Sequence, residues 1–153
     1  DRFRSYCANV AALKSLGQWM EKLKELGVYD NTRIIVAADH GFAVFAFPQM
    51  IYEGGTSYEQ FNPLLLVKDF GDRDYETSEE FVSNADVCAF AMEGIIEDPV
   101  DPYTGQSAKI RPDEGETVMH ASDVREYDGL SRRLYEFHDD VRVPENWTIN
   151  FSE

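Results

Sequence analysis

Five apolar residues, Ile34 to Ala38, run directly into Asp39, His40 and Gly41, and no other stretch narrows the possible folds as far. A short run that is β-branched at its start and apolar on both faces has the character of a strand covered on both sides, as in the centre of a parallel sheet. What precedes it fits. From Phe3 to Leu26, the residues Phe3, Cys7, Val10, Leu13, Met20 and Leu23 recur at helical spacing, with Lys14, Glu21, Lys22, Lys24 and Glu25 between them. Gly27 is placed to end that helix, and Tyr29 to Thr32 supply turn chemistry before Arg33. Helix, tight turn and buried strand make half of a βαβ unit, with the helix packed by its apolar side.

Beyond Gly41 the periodicity breaks. Phe42 to Tyr58 is aromatic and glycine-rich, with Pro48 and the Gly54-Gly55 pair, and reads as a long loop. A second apolar strand, Pro63 to Val67, ends at Lys68-Asp69, and the acidic stretch after it is an exposed connection. Ser83 or Asn84 caps a helix expected from about Ala85 to Glu97, stopped by Pro99. Glu116 to Ala121 and Arg133 to Val143 have β-like composition, separated by Asp128-Gly129, and are expected as short antiparallel strands. The spacing thus predicts an α/β part over 1–110 and a β-rich extension of the same domain over 111–153. Two parallel strands and two helices are too few for a self-standing doubly wound domain, so the chain reads as the carboxyl-terminal portion of something larger.

Composition removes several classes of function. At 153 residues with 43% hydrophobic content the chain has enough apolar material for a core. A formal charge of −15 leaves no basic patch for nucleic acid or an anionic membrane surface. The charge is uneven: residues 1–50 carry six Lys/Arg against five Asp/Glu, which leaves −16 on the remainder and points to a solvated acidic surface. No apolar run approaches the roughly 20 residues that cross a bilayer, and no signal-peptide pattern opens the chain. Cys7 and Cys88 are far apart in apolar contexts without C-x-x-C spacing, and read as small buried hydrophobes.

Asp39 and His40 are the candidate site. Functional groups in open α/β sheets collect where strands end and loops diverge, and both residues stand at such an end. Gly41 lets the chain turn sharply there, so that neighbouring side chains need not point to opposite faces. A carboxylate with an imidazole suits Zn²⁺ or Mn²⁺ better than Ca²⁺, which prefers oxygen alone. A polar turn with the histidine bonded to a carbonyl is the alternative, and two ligands do not hold a catalytic metal. Lys68, ending the second strand, is placed either to reach a substrate anion or to be an ordinary solvated lysine. Tyr52, Glu53 and the Gly54-Gly55 pair could shape specificity from the long loop. His120 and His138 are the other histidines and read as structural or surface groups.

The stretch "YCANVAALKSLGQWMEKLKELGVYDNTRIIVAADHGF" resembles the segment through the D-H-G signature of the sulfatase family in the alkaline phosphatase superfamily. "FNPLLLVKDF" resembles that family's next strand, and "SNADVCAFAMEGI" its following S-x-x-D helix, with Cys88-Ala89 where Pro-Thr is usual. The likeness spans about residues 3 to 110 and is nearest to bacterial membrane-anchored proteins of the lipoteichoic acid synthase type.

The resemblance implies a partial doubly wound, alkaline phosphatase-like sheet in which Asp39 and His40 bind a divalent metal, Mn or Zn. It implies attack by an activated hydroxyl on a phosphoester or sulfate ester, through a covalent enzyme ester, on the extracytoplasmic face of a membrane. The nucleophile and remaining ligands then lie upstream, in a missing amino-terminal part, since neither cysteine context matches C-x-P-x-R. The portion in hand is expected to be soluble and inactive alone. The competing expectation is a non-catalytic module whose acidic surface binds a partner.

Overall fold

The structure, a computed structural model, describes residues 2–51, 57–103, 105–108, 119–123 and 132–152. It is a mixed helix and strand structure with two small antiparallel sheets. Two compact units divide the chain. The first comprises Asp1–Asp39, Leu64–Glu79 and Ser83–Ile110; the second comprises His40–Pro63, Glu80–Val82 and Arg111–Glu153. Residues 40–63 and 80–82 belong with the carboxyl-terminal unit.

In the first unit, helix α1 (Arg2–Glu25) runs for 24 residues. Gly27, at φ 70°, ends it: its N–H donates to the Lys24 carbonyl at 2.9 Å while the Val28 N–H donates to that of Leu23 at 3.0 Å. This paired closure needs a left-handed residue, which glycine adopts without a steric cost. No residue of α1 is buried, and Phe3, Tyr6, Leu13 and Trp19 are exposed, so the apolar side expected to pack does not do so here. Strands β1 (Ile34–Ala37) and β2 (Leu65–Lys68) pair antiparallel, Ile34 opposite Lys68 and Ala37 opposite Leu65. The parallel arrangement expected of them is therefore corrected: apolar residues on both faces report burial and are silent about strand direction.

Helix α2 (Val87–Met92) has six residues, after a 3₁₀ turn over Asn84–Asp86. Its expected extension to Glu97 stops early, with Gly94 at φ 68° and Asp98 at φ 46° turning the chain away. Cys7 and Cys88 are free and exposed, contrary to the reading of both as buried. Among the described residues, no helix is long and apolar enough to cross a membrane.

The second unit carries strands β3 (Met119–Asp123), β4 (Arg132–Phe137) and β5 (Trp147–Ser152), paired antiparallel in the order β3-β4-β5. Its core is aromatic. Met50, Tyr58, Tyr135, Phe137 and Trp147 are buried together, with Phe61, Phe81, Val141 and Ile149 packed against them. Tyr58 and Trp147 stack at 4.2 Å between ring centroids, Phe137 and Trp147 at 4.4 Å. Trp147 also donates its indole N–H to the Val141 carbonyl at 2.8 Å, satisfying its polar edge while the rings lose water. The β-rich region anticipated only as an extension thus supplies half of a unit with its own core.

Candidate functional site

Three elements of the first unit are tied together by Arg33. Its Nε and Nη2 grip the Asp69 carboxylate at 2.8–3.0 Å, while Nη1 donates to the carbonyls of Phe90 at 2.8 Å and Glu93 at 2.5 Å. The guanidinium carbon lies 4.8 Å from the centre of the Phe70 ring. One cation therefore joins the start of β1, the end of β2 and the carbonyl end of α2, where a positive charge is favoured. The Asp69 carboxyl is held below its ordinary range by the Phe70 N–H, and by Arg33 and Lys68, against burial.

Lys68 does similar work at the same end of the sheet. Its ammonium donates to the carbonyls of Tyr29 at 2.6 Å and Thr32 at 2.9 Å and lies over the Tyr29 ring. Because β2 runs antiparallel to β1, Lys68 is opposite Ile34, the beginning of β1. Asp39 follows the other end, roughly 15 Å away at a strand's rise per residue. The structure does not bring Lys68 to Asp39: the ammonium is engaged at the opposite end of β1.

Asp39 is exposed just beyond β1. The end of that strand is held by Asn84, whose side-chain amide donates to the carbonyls of Ala38 and Asp39, each at 3.0 Å. Asn84 is aimed by a reciprocal cap. The Ser83 hydroxyl accepts from the Ala85 N–H at 3.2 Å, and the Asp86 carboxylate accepts from the Ser83 N–H at 2.8 Å. The spacing of serine and aspartate in "SNAD" thus has a local physical reason: it is a capping box, and it positions the asparagine between them.

His40, the first residue of the second unit, is also exposed. Its Nδ1 lies 2.6 Å from the Gly41 carbonyl oxygen. A carbonyl can only accept, so Nδ1 carries the hydrogen, and in the neutral ring the lone pair sits on Nε2. Gly41 is needed for closeness and not for φ. A Cβ there would lie 1.9 Å from the Glu59 carbonyl oxygen, and the Gly41 N–H donates to the Gln60 carbonyl at 2.8 Å.

Glu59 is a residue that reading the sequence missed. It is 8% exposed, and its carboxylate accepts from three successive backbone N–H groups: Phe45 at 2.8 Å, Ala46 at 2.8 Å and Phe47 at 3.1 Å. Phe45 takes φ 53°, a conformation costing about 1 kcal/mol, which helps consecutive N–H groups to converge as an anion-binding nest. Burial pushes the Glu59 carboxyl up, but the N–H groups of Phe47, Ala46 and Phe45, with the Ser57 hydroxyl, outweigh it and hold the group below its ordinary range. No spacing rule marks this glutamate. Its only signal is a charge beside Tyr58 in an aromatic stretch.

Among the described residues, no group of three or more His, Cys, Asp or Glu could hold a metal ion. His138 pairs with Asp139, Nδ1 to Oδ2 at 3.0 Å, while His120 is opposite Glu136 in the β3–β4 register. Tyr52, Glu53, Gly54 and Gly55 lie outside the described residues. Asp39 and His40 offer a carboxylate and an imidazole, donor types that fit zinc or manganese, and two such groups are fewer than a catalytic ion requires. No family model matches the chain, and no curated protein or solved structure matches it.

Proposed function

We propose that this chain is the carboxyl-terminal portion of a metal-dependent hydrolase or transferase acting on phosphoesters or sulfate esters. In this reading it is a member of the sulfatase family with an alkaline phosphatase-like fold, in which Asp39 and His40 supply two ligands to Mn²⁺ or Zn²⁺. The observation that carries the reading is the placement of His40: it follows β1 directly, beside Asp39, and its Nδ1 lies 2.6 Å from the Gly41 carbonyl oxygen, the kind of contact that orients a metal-ligating imidazole. The Asn84 contacts to the two carbonyls at the end of β1 support it further, since they fix the backbone from which Asp39 projects.

A bound divalent cation would lower the pKa of an attacking hydroxyl and neutralise charge on the transferred group. Asp39 contributes anionic oxygen and His40 neutral nitrogen, both unaltered by the reaction. An acidic chain meeting an anionic ester needs such a cation to offset the repulsion. The nucleophile, the other ligands and a membrane anchor that places the site outside the cytoplasm belong, in this reading, to the amino-terminal part of the protein. Histidine at position 40, where many sulfatases carry asparagine, tilts the substrate toward phosphodiesters, with phosphoglycerol-type transfer as the reaction.

Metal content of the complete protein tests the reading. Asp39→Asn combined with His40→Ala is expected to abolish stoichiometric Mn or Zn together with phosphodiester turnover. Unchanged metal content in that double variant would overturn the assignment in favour of a non-catalytic module.

A further inference from the structure

We infer that Glu59 is the positioning residue for the His40 imidazole, an inference whose functional weight rests on the proposed metal site. The route from one to the other lies within the second unit. Residues Tyr58–Phe61 form a 3₁₀ turn whose first side chain is fully buried and stacked on Trp147, so the turn is mounted on the aromatic core. That turn grips the segment from Gly41 to Phe47 at both ends. At the near end the Glu59 carbonyl occupies the space that a Cβ at Gly41 would need, and the Gln60 carbonyl takes the Gly41 N–H. At the far end the Glu59 carboxylate gathers the N–H groups of Phe45, Ala46 and Phe47.

Three residues, Phe42 to Val44, are left between the grips, closed by a Val44 N–H to Phe42 carbonyl bond of 2.9 Å. With so little chain to adjust, the peptide that follows Gly41 has a set orientation. Its carbonyl is the acceptor that selects the Nδ1–H form of His40. Releasing the far grip frees that peptide to rotate, and the imidazole loses the Gly41 bond that favours its Nδ1–H form. Glu59 touches no reacting atom in this scheme; it acts through the loop.

The test reads the tautomer directly. Nitrogen chemical shifts of ¹⁵N-labelled histidine are recorded at about pH 8.5, and at a second, higher pH to check that the ratio no longer changes. His40 is assigned by its disappearance in His40→Ala. In the unsubstituted chain His40 is expected as the Nδ1–H form. In Glu59→Gln, whose amide nitrogen meets N–H donors where an oxygen accepted, the ratio should fall about fivefold toward Nε2–H, the equivalent of one hydrogen bond of about 1 kcal/mol.

An unchanged ratio in a folded Glu59→Gln variant, judged by retained Trp147 emission, overturns the inference. Should the variant not fold, hydrogen exchange in the unsubstituted chain decides. The amides of Phe45, Ala46 and Phe47 are expected to be protected together with that of Gly41, and free-chain exchange at 45–47 overturns the proposal.

Titration of the complete protein with Mn²⁺ and Zn²⁺ separates this inference from the reading beneath it. Weakening of about tenfold in Glu59→Gln supports both. A tautomer shift in a protein that binds no metal leaves the positioning role standing and removes the metal site. Metal binding with an immobile tautomer does the reverse.

Discussion

The two units solve the same problem, holding short strands together, by opposite means. The first has two buried hydrophobic residues among those described, Ile34 and Ala89, and relies on cations tied to backbone carbonyls. Arg33 spans β1, β2 and α2, Lys68 spans β2 and the turn before β1, and Asn84 spans the end of β1 and the cap of α2. The second unit buries four aromatic rings with Met50, stacks Tyr58 and Phe137 on Trp147, and admits one carboxylate served by N–H donors. Directional bonds locate backbone atoms accurately over small areas, whereas ring burial yields more free energy per residue with less control of direction. Asp39 depends on the first kind of support. His40 depends on both, through Glu59.

Four substitutions or conditions would sharpen or break this contrast. Trp147→Ala should have the largest effect, lowering the stability of the second unit by about 3–5 kcal/mol in urea denaturation, as expected for emptying a buried aromatic site. A loss under 1 kcal/mol would mean that the stack is peripheral. Arg33→Ala comes next, at about 2 kcal/mol, since it removes charge-assisted bonds to one carboxylate and two carbonyls but leaves Asp69 partly solvated. Hydrogen exchange should rise at the β1 and α2 amides first. If those amides stay as protected as before, packing and not the cation holds the sheet.

Acidity gives the third measurement. The carboxyl of Glu59 is lowered in the folded chain, so the unfolded state binds its proton more tightly. Its contribution is full at neutral pH and declines as the pH drops from the ordinary glutamate range, near 4.3, through the lower folded value. Glu59→Gln should therefore flatten the acid side of the second unit's stability profile, and an unaltered slope would assign acid loss to other groups. The smallest effect is that of Ser83→Ala, about 1 kcal/mol from breaking a capping box, seen as fraying of residues 84–87 by hydrogen exchange.

Local signals carried much of what could be read in the chain. The helix ending at Gly27, the turn over Tyr29 to Thr32 and the strands at 34–37 and 65–68 follow from periodicity, β-branching and glycine, which act over a few residues. The placement of Asp39 and His40 after a strand, the cap at Ser83 and the β character of 133–137 follow for the same reason.

Strand direction did not. An apolar run of four or five residues looks alike in either orientation, so it left open which end of β1 Lys68 would face. Nor did the extent of the second helix, where Gly94 and the carbonyl grip of Arg33 end the helix sooner than its apolar pattern does.

What the amino-acid sequence determined by itself is therefore the strand and the polar pair, Asp39 and His40, that follows its end. Only the tertiary structure decided which face of His40 carries the lone pair, because that depends on a Gly41 carbonyl. The seat of that carbonyl is a glutamate 18 positions downstream, folded back across the loop. Tautomer and orientation are properties of hydrogen-bond partners, and partners distant in the chain leave no periodic trace in it.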